Sequence, residues 1–230
     1  MSDDGNLTNH FLIAMPALED PNFHRTVTYI CEHNPDGALG IVINRPTDIT
    51  LGELLEHMEL EAAGAEIARR SVFLGGPVQR ERGFVLHPPA ANQAGQTGQT
   101  GQTTATDPAG RTPGSDPGPQ SGPQPGTTRK PGSSGWESSI TISDSIAVTT
   151  SRDILAAIAD NAGPKRYMVA LGYAGWGAGQ LEQELADNAW LFGPADPDIL
   201  FDLGPAERWK AAAALLGVDL SLLSGNAGHA

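Results

Sequence analysis

The run Thr26-Val27-Thr28-Tyr29-Ile30-Cys31-Glu32-His33-Asn34-Pro35-Asp36-Gly37-Ala38-Leu39-Gly40-Ile41-Val42-Ile43 holds two β-rich segments around one turn. Residues 26–31 are dense in β-branched and aromatic side chains, and residues 38–43 are almost wholly apolar, as a central strand must be. Asn34-Pro35-Asp36-Gly37 between them is rich in turn formers. A connection that short joins antiparallel strands, whereas parallel strands need a long crossover. The expected sheet is therefore mixed rather than purely parallel and doubly wound.

Outward from this hairpin, residues 11–15 read as a strand stopped by Pro16. Thr50 with Glu53 three residues later forms a capping box for a short helix through Met58. Strands are expected at 71–74 and 84–87, with Gly75-Gly76-Pro77 as a turn region between them. Further on, a strand at 145–149 leads to Thr150 or Ser151 as the cap of a helix reaching Asp160. Residues 166–171 form a strand, 172–179 a glycine-punctuated loop, 180–188 a helix and 189–192 a strand. Residues 199–201 suit a short edge element, and Pro205 opens a last helix closed by Gly217.

Residues 91–135 break this pattern. They contain 10 Gly and 7 Pro and no Leu, Ile, Val, Met, Phe or Tyr, so they have nothing to bury against the entropy of ordering them. The expected organisation is one domain over residues 1–230, of mixed α/β or α+β class. It has a largely antiparallel or barrel-like sheet, short flanking helices and a long disordered surface loop at 91–135.

The chain carries a formal charge of −13 and shows no basic cluster, which disfavours direct binding to a phosphate backbone. The single cysteine excludes a disulfide framework and a paired-cysteine metal knuckle. The acidic amino terminus lacks a secretory pattern and no run of 18 apolar residues occurs, so a cytoplasmic, non-membrane protein is expected.

The candidate chemistry sits in three places. Leu171-Gly172-Tyr173-Ala174-Gly175-Trp176-Gly177-Ala178-Gly179-Gln180-Leu181-Glu182 places four glycines ahead of a helix. It lacks the Gly-Lys-Ser/Thr of a nucleotide-phosphate loop and the third glycine of a dinucleotide fingerprint. It serves either close packing or a ligand or partner site, with Trp176 and Tyr173 as contacts and Glu182 as a capping carboxylate or an acid–base group. Cys31 and His33, two apart on a strand, are expected to share a face, which admits a nucleophile–base pair but equally a buried structural cysteine. Asn44-Arg45-Pro46 closes the hydrophobic strand, and Arg45 can clamp a carboxylate or phosphate or make an internal ion pair. Arg25 carries the same two readings. No cofactor and no metal are called for, since Cys31 and His33, with His24 or His87, lack a compact ligand spacing.

Taken in order, His10-Phe11-Leu12-Ile13-Ala14-Met15-Pro16, Asp20-Pro21-x-Phe23-x-Arg25-Thr26-Val27, Cys31-Glu32-His33, Gly40-Ile41-Val42-Ile43-Asn44-Arg45-Pro46, Gly75-Gly76-Pro77-Val78, Thr150-Ser151-x-Asp153-Ile154-Leu155 and the motif from Gly172 to Glu182 resemble the bacterial YqgE/AlgH family. The resemblance implies a single α/β domain without an established reaction, some members being labelled transcriptional regulators. It maps the family signature onto Asn44, Arg45, Gly75, Gly76, Pro77, Tyr173, Gly175, Trp176, Gly179, Gln180 and Glu182. It also implies a short connection where this chain has residues 91–135. The expected function is a ligand-binding or protein-interaction domain with an indirect regulatory role, its partner an unknown small molecule or protein. The alternatives are an enzyme using Cys31, His33, Arg45 or Glu182, and a regulator binding DNA directly, which the acidic charge and the lack of a helix-turn-helix disfavour.

Replacing residues 91–135 by a few Gly and Ser is expected to preserve a single cooperative unfolding transition in urea, with a midpoint equal to or above that of the full chain. Loss of cooperativity would give the tract a structural role.

Overall fold

The computed structural model describes residues 5–89 and 136–223, and the insertion expected at 91–135 lies outside them. The hairpin appears as β2 (Val27–Asn34) and β3 (Gly37–Val42), with β1 (His10–Ala14) antiparallel to β2 on the other side. β4 (Pro46–Thr50) runs directly into α1 (Leu51–His57), where the capping box forms as read. The Thr50 hydroxyl accepts from the Glu53 N–H at 3.3 Å, and the Glu53 carboxylate accepts from the Thr50 N–H at 2.7 Å. Then come α2 (Ala65–Ala68), β5 (Ser71–Leu74), β6 (Val78–His87), β7 (Ser139–Thr141), β8 (Ala147–Thr149) and α3 (Arg152–Ala159). The described chain ends with β9 (Met168–Gly177), α4 (Gln180–Ala186), β10 (Trp190–Pro194), α5 (Pro197–Phe201), α6 (Pro205–Leu215) and α7 (Leu220–Leu223).

These strands make one curled, largely antiparallel sheet, a half-barrel in the order β10-β1-β2-β3-β9-β6-β8-β7, as the expected fold class holds. The exceptions to the linear order are β4, which pairs with β5, and β5, which pairs parallel to β9. Three clusters fill the two sides of the sheet. Phe11, Tyr29, Ile41, Phe84, Leu86 and Met168 face inward with residues of α5, α6 and α7. Val72, Val85 and Val169 pack under α1 and α3, and Leu12, Ile30, Ala174 and Trp176 pack under Leu181 of α4.

Two boundary readings are corrected. Residues 172–177 are the second half of β9, not a loop, because Ala174–Gly177 complete a ladder with β3 and thereby satisfy their backbone groups. Residues 199–201 belong to α5, whose Asp196 side chain caps the Asp198 N–H at 2.8 Å.

The Gly75-Gly76-Pro77 segment is a crossing rather than a simple turn. Val169 of β9 pairs with Val72 on one edge and Val85 on the other, so the link from β5 to β6 passes across the backbone of β9. A Cβ on Gly76 would lie 2.1 Å from the carbonyl carbon of Tyr173, and one on Gly75 2.3 Å from the carbonyl oxygen of Gly172. Gly172 itself has φ +73°, and a Cβ there would lie 2.7 Å from the Gly76 carbonyl oxygen. Only glycine admits this approach.

Two side chains fasten α6 to the sheet. The buried Arg208 guanidinium donates to the carbonyls of Ile43 and, at 3.0 Å, Leu203, and lies 5.0 Å over the Phe73 ring. With carbonyls in place of a carboxylate around it, burial pushes its pKa down to about 10. Trp209 donates its indole N–H to the Ala14 carbonyl at 2.9 Å.

His87 joins β6 to β8 through one ring nitrogen and holds the adjoining backbone with the other. Nδ1 is 2.8 Å from the Pro88 carbonyl, which can only accept, so Nδ1 carries the proton and Nε2 accepts from the Thr149 hydroxyl at 2.8 Å. Burial holds this imidazole below the ordinary histidine range. The unfolded chain therefore takes up the proton first, and the stability His87 contributes is complete above about pH 6.5 and is lost as pH falls toward its folded-state value. Between pH 7 and 5 the melting temperature of the native chain is expected to fall more steeply than that of His87→Gln. Parallel curves would exclude this histidine as the source.

Candidate functional site

The signature residues do not gather around one cavity. Each binds another part of the backbone or core, and several of them support the 16–26 loop.

The α4 helix is the first part of that support. Gly179 (φ +73°) turns the chain out of β9, and the Gln180 side-chain oxygen accepts from the Gly177 N–H at 3.1 Å. Gln180 also donates to Glu184 at 2.9 Å. Glu184 Oε2 accepts from two indoles at once, Trp176 Nε1 at 2.9 Å and Trp190 Nε1 at 2.8 Å. Trp176 and Trp190 are 5% and 4% exposed, so their polar atoms need that carboxylate. Phe23 stacks on Trp176 at 6.0 Å and meets Trp190 edge-on at 5.4 Å, which plugs the 16–26 loop into the cluster. Tyr173, half-buried, packs edge-on against Phe84 at 5.9 Å, and Gly175 leaves room beside the Tyr173 ring.

Asn44 and Arg45 hold the same loop from its other end. The Asn44 side chain accepts from the Val27 N–H and donates to the Arg25 carbonyl, each at 2.9 Å. Arg45 donates to the Pro21 carbonyl at 2.7 Å and the His24 carbonyl at 3.2 Å. Neither of the two readings made from sequence describes it: Arg45 clamps backbone carbonyls. Gly75, Gly76 and Pro77 form the crossing described above.

Cys31 and His33 point to opposite faces, against the expectation that alternation would align them. The register slips between Ile30 and Glu32, and this bulge leaves Cys31 in the inner cluster while His33, opposite Ala38, turns to the α4 side. Burial pushes the Cys31 thiol well above its ordinary range, and its sulfur lies 3.8 Å from the Tyr29 carbonyl. His33 Nδ1 accepts from the Leu7 N–H at 3.0 Å, which leaves the proton on Nε2 to be donated to Glu182 at 2.9 Å. Glu182 is held below the usual carboxylate range by its own backbone N–H first and by His33 second. A shallow depression of about 290 Å³ touches His33, Glu182 and Asn34. No group of three or more His, Cys, Asp or Glu among the described residues is placed to hold a metal.

A larger cleft lies elsewhere, about 690 Å³ between the 16–25 loop and the last helices, walled by Pro16, Arg25, Trp209, Lys210, Val218 and Leu220 among others. Arg25 enters it at φ +55°, a left-handed conformation uncommon for a non-glycine residue, with its guanidinium 5.6 Å over the Trp209 ring. Sequence reasoning named Arg25 only as an ambiguous cation and Phe23 only as part of a motif, read Glu184 as a charge of the first helical turn, and passed over Trp190, Trp209 and Lys210. Their roles depend on contacts between distant segments, and no local spacing signals them.

The sequence profile described as AlgH-like matches residues 11–113 and 118–221. A UPF0301 protein of Thioalkalivibrio sulfidiphilus is 54% identical over 230 residues, spanning 100% of both chains. One from Nitrosococcus oceani is 49% identical over 222 residues and 96% of each. The solution structure of the AlgH protein from Pseudomonas aeruginosa is similar, at 44% identity and a TM-score of 0.66, covering 100% of this chain and 99% of that one. The crystal structure of protein DIP2367 from Corynebacterium diphtheriae matches at 16% identity and a TM-score of 0.62, over 95% and 92% of the chains, which is a likeness of fold alone. None of these names states an activity. With its motifs in order along both halves and one curled sheet built from them, the chain belongs to the AlgH-like, or UPF0301, family.

Proposed function

We propose that this protein is a small-molecule-binding domain, without catalysis of its own, whose site is the cleft between the 16–25 loop and α6–α7. The observation that carries the reading is the placement of Arg25. A non-glycine residue in the left-handed region costs on the order of 1 kcal/mol, and such strain persists where surrounding structure enforces it. Here Asn44, Arg45 and Phe23 all fix the loop that ends on Arg25, and the pinned indole of Trp209 receives the guanidinium. A cleft of about 690 Å³ lies within the usual range for small-ligand sites.

An enzyme built on Cys31, His33, Arg45 or Glu182 has less support. The thiol is buried and disfavoured as thiolate, His33 and Arg45 are engaged, and Cys31 and His33 are on opposite faces. Regulation, on this reading, runs through occupancy of the cleft. Direct DNA contact is opposed by the net charge of −13.

Ala214 is exposed on the cleft wall, and Ala214→Trp fills the space without changing charge. In a metabolite-library screen followed by NMR at the Trp209 indole N–H, compounds are expected that shift this resonance in the native chain and lose at least tenfold in affinity against Ala214→Trp. A library without such compounds, or hits indifferent to Ala214→Trp, would reject the cleft as the site.

A further inference from the structure

The cleft wall has an uneven charge for so acidic a chain. Arg25 and Lys210 both line it, and neither forms an ion pair with a carboxylate among the described residues. Asp219, itself engaged in an interaction, lines the same wall. Arg166, by contrast, is paired with Asp198 and Asp202 at 2.7 and 2.5 Å, whereas the cleft brings two cations to one wall with no such pairing among the described residues.

The Arg25 guanidinium carbon lies 5.6 Å from the Trp209 ring centroid, within cation–π range. A guanidinium in such a contact keeps its planar fork of N–H donors for an anion. The two-pronged edge matches the spacing of the two oxygens of a carboxylate. Lys210, next to Trp209 in sequence, supplies a second, mobile charge without a fixed geometry. Pro16, Val218, Leu220 and the remainder of the Trp209 side chain offer apolar surface beside the cations.

On the reading that the cleft is a ligand site, we infer that its ligand is a monocarboxylic acid with an apolar, ring-sized body, the carboxylate held two-pronged by Arg25 and supported by Lys210. Binding then depends on the shape of the Arg25 head group as well as on its charge, and it weakens with salt because both cations are exposed.

The test uses the full chain, with phenylacetate, its neutral isostere phenylacetamide, and phenyl phosphate as probes, read by NMR at the Trp209 indole N–H and the Arg25 amide. Phenylacetate is expected to bind at least tenfold tighter than phenylacetamide and tighter than phenyl phosphate. Arg25→Ala should lose at least tenfold, Arg25→Lys most of that loss despite keeping its charge, and Lys210→Ala about threefold. Since both side chains are exposed, the variants are expected to keep the native melting temperature, which confirms that a loss is one of binding. Equal binding of acid and amide, or an Arg25→Lys variant that binds like the native chain, would overturn the carboxylate assignment while leaving a ligand cleft in place. Failure of all three probes to shift Trp209, while library compounds do so and are blocked by Ala214→Trp, would overturn the assignment in the same way. Failure of every probe and every library compound would remove the cleft reading with it.

Discussion

The passage of the β5–β6 link over β9 governs the architecture. β9 pairs on both edges, and its two neighbours at Val169 are joined to each other by a handful of residues that must step across it. That step is possible only where the two backbones can nearly touch, and Gly75, Gly76 and Gly172 provide the contact by having no Cβ. Around the crossing, the Gly75 N–H donates to the Leu171 carbonyl and its own carbonyl accepts from the Val42 N–H, both at 2.8 Å. Three strands are thereby tied at one point, and β3 and β5 can share an edge of β9 end to end. The continuity of the inner core across the two halves of the chain follows from this, because β9 contributes to all three clusters.

From that frame the signature residues act as braces. Glu184 shared by two indoles, Gln180 on the Gly177 amide, and His33 on Glu182 fix α4 against the end of β9. Asn44 and Arg45 fix the 21–25 backbone, and Phe23 locks it into the tryptophan cluster. The two indole N–H groups, the His33–Glu182 bond and the Val27 N–H held by Asn44 are half-buried, and leaving such groups unsatisfied costs on the order of 1–3 kcal/mol. Their common product is a rigid loop that places one cation, Arg25, opposite an indole pinned from the other side of the fold. The polarity of the molecule fits this division: acidic overall, with Arg25 and Lys210 together on one cleft wall and neither ion-paired to a carboxylate among the described residues.

Much of this was legible in the sequence wherever local chemistry decides. The hairpin through Asn34–Gly37, the Thr50–Glu53 capping box and the helix from Pro205 follow from turn formers, caps and periodicity, and all three form, although a further short helix, α7, follows the one read as last. The misreadings share a cause in non-local pairing. Glycines at 172, 175 and 177 lower β propensity, yet the ladders to β6 and β3 carry that segment as strand. Alternation placed Cys31 beside His33, and a single bulged residue separated them. Arg45 looked like an anion clamp because its carbonyl partners lie more than twenty residues away, while Arg25, adjacent to the motif, carries the exposed charge.

The crossing can be tested against a glycine of the same signature that has space around it. Gly179 also has a left-handed backbone, at φ +73°, but a Cβ there meets nothing within 4 Å, so Gly179→Ala should cost only the conformational strain of about 1–2 kcal/mol. Gly76→Ala should cost about 4 kcal/mol or more, or prevent folding, because the added carbon collides with backbone atoms that no side-chain motion can clear. Unfolding free energies from urea titration of the two variants, with the native chain alongside, measure this difference directly. A large gap with Gly76→Ala far the weaker is the result expected here, and equal, modest losses would contradict the crossing as the constraint on the fold.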